Sequence, residues 1–94
     1  MPLFVLHCMD KPDNLDGRMA VREQHLAYVR ENAGSFRMGG PYLDEAGQMI
    51  GSLIIIEVAD MAAAKAWAAN DPYKPVFESV EIRPFRVTAG SISA

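Results

Sequence analysis

The sequence predicts an α+β domain with elements in the order strand, helix, strand, strand, helix, strand. Three observations point to it. Apolar or β-branched runs occupy residues 3–9 and 53–56. Segments with helical spacing, residues 15–33 and 61–70, fall between strand-like segments. Clusters of turn formers at residues 10–14 and 44–47 mark the joints.

Residues 3–9 read Leu-Phe-Val-Leu-His-Cys-Met, apolar at both alternating sets of positions, as in a strand covered on both faces. Asp10-Lys11-Pro12-Asp13-Asn14 ends the strand, and Asp13, Asn14 or Asp16 is placed to cap a helix. That helix is expected over residues 15–33, because Leu15, Met19, Leu26, Val29 and Ala33 form one apolar stripe. Gly34 stands where a helix takes its left-handed terminating residue. Residues 35–43 form the second strand. Its Gly39-Gly40-Pro41 implies a bulge or a close backbone approach, and an edge position or strand end. A hairpin turn at 44–47 leads into the third strand, 48–58. Asp60 caps an alanine-rich second helix over 61–70, with Trp67 as its core anchor. Asp71 and Pro72 can start a further helical turn. The last strand, 78–87, sets Glu81, Arg83 and Arg86 among Val80, Ile82 and Phe85. The tail, 88–94, is small and polar, and is expected to be loose or exchanged onto a partner.

This order is the ferredoxin-like pattern, a four-stranded antiparallel sheet with two helices on one face. The chain has 94 residues and is expected to be a single domain over 1–94. A core of that size is marginal without disulfides, a metal or oligomerisation. Cys8 is the one cysteine, which excludes an internal disulfide and multi-cysteine zinc patterns. His7 and His25 lack metal-ligand spacing, so no metal is expected. Strands apolar on both faces leave one sheet face uncovered, and packing sheet on sheet in a two-fold homodimer covers it. Higher assembly is left open.

The net charge is -3, with acids and bases interspersed, so neither nucleic acid nor an anionic membrane is an expected partner. No apolar stretch approaches the roughly 20 residues of a membrane span. The opening Met-Pro-Leu-Phe-Val-Leu lacks a basic leader and a small-residue cleavage site. With a free thiol, the expected location is the cytoplasm. There is no phosphate loop, dinucleotide fingerprint or nucleophile elbow, and no cofactor is expected.

Several residues could do chemistry. Arg18, Arg22, His25 and Val29 share one side of the first helix. His25 lies at the edge of the apolar stripe. It either packs sideways there or faces a cleft as a general acid or base. Asp71, extended before Pro72, can cap a helix start and also orient a histidine, with one carboxylate oxygen for each task. Gly40 and Pro41 can shape a pocket floor or simply end a strand. Ser52 needs a hydrogen-bond partner if buried, whether a ligand or a neighbouring carbonyl. Tyr73 can aim its hydroxyl into a cleft or pack as an aromatic. His7 is expected to be a hydrogen-bonded core residue and Cys8 an inert buried thiol.

Taken together, Arg22-x-x-His25-Leu26, Gly40-Pro41, Gly51-Ser52, Ala66-Trp67, Asp71-Pro72-Tyr73 and Ile82-x-Pro84-Phe85 resemble the YciI-like (YCII-related) proteins over residues 1–87. The resemblance implies a ferredoxin-like domain forming a dimeric α+β barrel, related to muconolactone isomerase and small cofactor-free monooxygenases. It implies an active-site pair at His25 and Asp71. Arg22, Gly40, Pro41, Ser52 and Tyr73 become expected substrate-binding residues. Some members resemble dehydrochlorinases acting on chlorinated hydroquinones. The chain departs from the family at Lys74-Pro75-Val76, where glycine is frequent, and at His7, where an aromatic or aliphatic residue is more usual.

Two functions fit these residues. One is a small cofactor-independent enzyme moving a proton with His25 and Asp71 on a small organic acid or phenol, by isomerisation, lactone handling or elimination. In it, Arg22 or backbone N–H groups near Gly39-Gly40 would stabilise developing negative charge. The other is a non-catalytic dimeric module that binds a metabolite or a protein.

Overall fold

In the computed structural model, which describes residues 1–92, the strands are β1 (Leu3–Asp10), β2 (Phe36–Leu43), β3 (Met49–Glu57) and β4 (Phe77–Phe85). The helices are α1 (Leu15–Ala20), α2 (Arg22–Glu31) and α3 (Met61–Ala69), and a 3₁₀ turn at Lys74–Val76 leads into β4. The strand order is β2-β3-β1-β4, with every neighbouring pair antiparallel. This is the ferredoxin-like βαββαβ fold expected from the sequence.

Alternation along the strands separates two faces. Phe4, Leu6, Cys8, Ile54 and Ile56 point to one face and join Trp67 of α3 in the buried core. Leu3, Val5, His7, Leu53 and Ile55 alternate with them and belong to the other face. Register sets Phe4 opposite Ile56 and Leu6 opposite Ile54, so the two central strands fill the core in step. Trp67 is anchored as expected: its ring nitrogen donates to Ser35 Oγ at 3.2 Å.

The first helix differs from expectation. It breaks at Val21, whose φ of -114° and ψ of 8° interrupt the helix between Ala20 and Arg22. Three residues before the break, Arg18 is drawn into the sheet layer at 2% exposure, where it donates to Ser52 of β3. A β-branched residue at the break accepts the distortion readily. The caps differ too. Asn14 is the N-cap, yet its side chain donates to the Val76 carbonyl rather than accepting from the helix. The helix ends at Asn32, not in a left-handed Gly34, and Asn32 Nδ2 donates back to the Tyr28 carbonyl at 2.8 Å.

The remaining joints follow the sequence. Asp60 accepts from the Ala63 N–H at 2.8 Å and caps α3. Asp44 Oδ1 accepts from Ala46 and Gln48, and Gly47 takes a φ of +86° in the hairpin turn. β2 is an edge strand, which accommodates Pro41, and register shifts flank Gly39-Gly40-Pro41 at Phe36/Met38 and Tyr42/Leu43.

His7 is half-buried on the outer sheet face rather than in the core, with Nδ1 at 2.7 Å from the Tyr42 hydroxyl. Alternation inside an apolar strand could not say which face it takes. The described part of the tail returns over that face, where Ile92 borders the same shallow hollow as Met38, Ile55 and Phe85. Ser93 and Ala94 lie outside the described residues. Among the described residues, no helix is long and apolar enough to cross a membrane.

Candidate functional site

α1 and α2, separated by the break at Val21, both contribute side chains to one cavity. It holds about 310 Å³ and lies between those helices and the β2–β3 half of the sheet. Its polar wall is Arg18, Arg22, His25, Ser52 and Tyr73; its apolar wall includes Leu26, Val29, Phe36 and Ile54. Gly39, Gly40 and Pro41 close it along the edge strand. A side chain at Gly39 would put its β-carbon 2.8 Å from the Phe36 ring and 3.2 Å from the Leu53 carbonyl oxygen, so the residue's smallness leaves room for that ring to lie back along its own strand. Gly40 meets no such crowding.

His25 projects from α2 and stays at the rim of burial, its side chain 12% exposed. Nδ1 lies 2.8 Å from Asp71 Oδ1, and Asp71 is buried. An ionised carboxylate only accepts, so Nδ1 carries the hydrogen and Nε2 is left for the cavity side. The loop after α3 holds Asp71 from behind. The same Oδ1 accepts the Tyr73 N–H at 2.9 Å, and the Asp71 carbonyl accepts from Lys74 N–H at 2.9 Å. The sequence suggested that Asp71 caps a helical turn begun at Pro72 with one oxygen and orients a histidine with the other; the turn instead starts at Lys74 with Tyr73 in the cap position and no side-chain cap, and a single Asp71 oxygen takes both the Tyr73 N–H and His25. The bond from the Tyr73 N–H fixes the carboxylate, and the fixed carboxylate fixes the imidazole.

Tyr73 lies beside the side chains of both His25 and Arg18. His25 stacks on its ring with centroids 4.0 Å apart and planes 15° from parallel, and the Arg18 guanidinium carbon is 4.4 Å from its centroid. Burial raises the Tyr73 hydroxyl above the usual phenol range, against the opposing pull of Arg18 and Arg22. The phenol therefore stays protonated at neutral pH.

Behind the polar wall Arg18 is paired with Asp10, and neither was singled out as a site residue. Arg18 Nη1 donates to Asp10 Oδ1 at 2.9 Å and to Oδ2 at 3.2 Å, and Nη2 donates to Ser52 Oγ at 2.5 Å. Both side chains are buried. Burial raises the Asp10 carboxyl above the ordinary value, more than Arg18 lowers it. One signal was present: Arg18, Arg22 and His25 share a helix side. Asp10 had none, since a carboxylate next to Lys11-Pro12 reads as loop. Arg22, by contrast, has no carboxylate partner among the described residues and is the unbalanced positive charge at the cavity.

Thus His25, Arg22, Gly40, Pro41, Ser52 and Tyr73 meet at one cavity, with Asp71 directly behind His25. Cys8 is buried on the same sheet face, and burial, reinforced by Asp71, pushes its thiol up to about 12. It is buried and stays protonated at neutral pH. Among the described residues no cluster of His, Cys, Asp and Glu has the arrangement of a metal site.

Residues 2–86 match the YCII-related domain. An uncharacterized protein of Haemophilus influenzae is 37% identical over 94 residues, covering 88% of this chain and 95% of that one. Protein YciI of Escherichia coli is 36% identical over 94 residues, covering 89% and 96%. Among solved structures, 5-chloro-2-hydroxyhydroquinone dehydrochlorinase of Burkholderia phenoliruptrix, in complex with 2,5-dihydroxybenzoquinone, superposes with a TM-score of 0.83. It is 25% identical, over 89% of this chain and 93% of that one. An MhuD variant binding manganese protoporphyrin IX has a TM-score of 0.51 at 19% identity, over 96% and 98% of the chains, and shares the fold.

Proposed function

The chain belongs to the YCII-related domain family, and from that premise we propose that it is a small cofactor-independent enzyme whose His25–Asp71 pair moves a proton on a small organic acid or phenol. The observation that carries the proposal is the 2.8 Å bond from His25 Nδ1 to a buried, backbone-held Asp71, on the wall of a small cavity. In this reading His25 Nε2 takes a proton from the substrate, and Asp71 stabilises the imidazolium formed. Arg22 faces the negative charge that develops on the substrate oxygen. Gly40, Pro41, Ser52 and Tyr73 shape and bind around the ring or chain of the substrate.

The similarity to a dehydrochlorinase favours elimination among the possible reactions. Written out for a chlorinated hydroquinone, one hydroxyl proton first shifts to the chlorine-bearing carbon to give the keto form; His25 then accepts a second hydroxyl proton, the electron pair left behind forms the new double bond, and chloride departs with the electrons of the carbon–chlorine bond. The charge balances without an oxidant. Isomerisation or lactone handling would use the same proton acceptance, with His25 returning the proton to another atom.

The proposal treats residues 1–94 as one domain of a cytoplasmic homodimer, its outer sheet faces packed together. Support comes from apolar, half-buried Val5 and Leu53 on that face, with Met38 and Phe85 exposed beside it.

The test is incubation of the protein with 5-chloro-2-hydroxyhydroquinone, following chloride release and product mass. Turnover that disappears in His25→Ala, with the fold retained by circular dichroism, supports the enzyme. Binding of the compound with no change in its mass, in the wild type, replaces it with a metabolite-binding module.

A further inference from the structure

Ser52 sits in β3 opposite Cys8 and Pro41, and it is 3% exposed. Its oxygen takes a 2.5 Å hydrogen bond from Arg18 Nη2. A guanidinium has no acceptor atoms, so Ser52 is the acceptor in that bond. Its own hydroxyl proton has no acceptor among the described residues, and Ser52 lines the cavity. A buried hydroxyl hydrogen without a partner is uncommon and costly. Asp10 holds the far side of the guanidinium with bonds of 2.9 and 3.2 Å, so Arg18 stays in place when the cavity changes occupant. A hydroxyl that accepts from a cation becomes a better donor, because hydrogen bonds in a chain polarise one another.

We propose that Ser52 donates this proton to an oxygen of the ligand, so that the Asp10–Arg18–Ser52 chain selects a small ring compound carrying a phenol, phenolate or carbonyl oxygen. The cavity's size supports the class: about 310 Å³ is at the small end for a ligand site and suits a single ring. Leu26, Val29, Phe36 and Ile54 supply the apolar wall such a ring requires. Asp10 balances the charge of Arg18, so the chain contributes a directed hydrogen-bond donor, while net positive charge comes from Arg22. Ser52 keeps its proton throughout and forms no covalent bond. The inference rests on the reading of this cavity as the reaction site and adds the chemistry it recognises.

The test uses 4-chlorophenol and 4-chlorotoluene, which differ only by hydroxyl against methyl. Dissociation constants are read from backbone amide shifts in NMR for the wild type, Ser52→Ala and Ser52→Cys. The wild type is expected to favour the phenol by about tenfold, the value of a hydrogen bond that a methyl group cannot make. Ser52→Ala should bind the two compounds within about twofold, and Ser52→Cys, a weaker donor of similar size, should fall between. If Ser52→Ala does not fold, Ser52→Cys decides alone. A preference that survives both substitutions overturns the role of Ser52. No preference in the wild type overturns it as well, whatever the turnover experiment shows. A Ser52-dependent preference in a protein that releases no chloride leaves this inference standing and removes the elimination instead.

Discussion

Two pairs, each a carboxylate with a nitrogen-bearing side chain, flank Tyr73, and they differ in one respect that matters. Asp10–Arg18 joins the end of β1 to α1, at 2.9 Å, with side chains 4% and 2% exposed. Asp71–His25 joins the loop after α3 to α2, at 2.8 Å, with side chains 2% and 12% exposed. Guanidinium is a permanent cation with no acceptor atom, whereas imidazole is the side chain suited to giving and taking a proton. The first pair therefore acts as a fixed anchor, and the second carries whatever proton chemistry the cavity performs. Similar bond lengths in similar surroundings conceal a division of labour set by side-chain chemistry alone.

The largest expected effect separates the pairs by stability. Arg18→Met leaves Asp10 buried without its counter-charge and should cost about 3–5 kcal/mol in urea unfolding. The double variant Arg18→Met/Asp10→Leu should recover most of that loss, because nothing charged is then left stranded. A cost below about 1 kcal/mol for Arg18→Met would put the pair in the class of exposed ion pairs and break the comparison.

Asp71→Asn comes next. The amide oxygen can still accept from Tyr73, so the turn should persist and the cost should be about 1–2 kcal/mol, from the weakened bond to His25. Nitrogen-15 NMR of the imidazole should show loss of the preference for hydrogen on Nδ1, because an amide can present either oxygen or nitrogen to the ring. An unchanged ring tautomer would mean that Asp71 does not orient His25.

A smaller effect concerns pH. The folded pKa of Asp10 is raised above 3.8 by burial, so the native state holds this proton more tightly than the unfolded chain. Stability from this group therefore falls as pH rises from about 3.8 through the folded value. Glu57 runs the other way. Its hydrogen bond from Arg37 lowers its pKa below 4.5, so its contribution is present above that value and is lost as pH falls through the folded one. Urea midpoints for the wild type and Arg18→Met/Asp10→Leu, measured between pH 3 and 6, should differ in slope in the direction Asp10 dictates.

The smallest effect reads both pairs at once through Cys8, whose thiol is raised first by burial, then by Asp71, with Arg18 opposing. Native protein should resist iodoacetamide at pH 8. Within the slow residual rate, Asp71→Asn should react somewhat faster than the wild type. Equal rates would mean that Asp71 does not reach the thiol.

Much of this was legible in the residues. Period-two runs and turn clusters gave the strands, and Asp60 gave the α3 cap, because these depend on local geometry. His25, Arg22 and Arg18 were visible as one helix side for the same reason. Asp71 before Pro72-Tyr73 drew attention, although spacing could not bring it to His25 across 46 positions. The Asp10–Arg18–Ser52 chain was not legible, since it joins three elements and each member has an ordinary local explanation. The break at Val21 was hidden by an apolar stripe that runs through it. His7 and Tyr42 meet across strands that are not neighbours in the sheet, a contact that no pattern within either strand encodes.

The break at Val21 has a consequence for descent with modification. It divides the long helical segment into a half that carries the anchoring arginine and a half that carries Arg22 and His25. Mutations on α2 can therefore sample new reactivity while α1 keeps the domain assembled. A scaffold partitioned in this way can diversify its chemistry by small steps, each of which still folds.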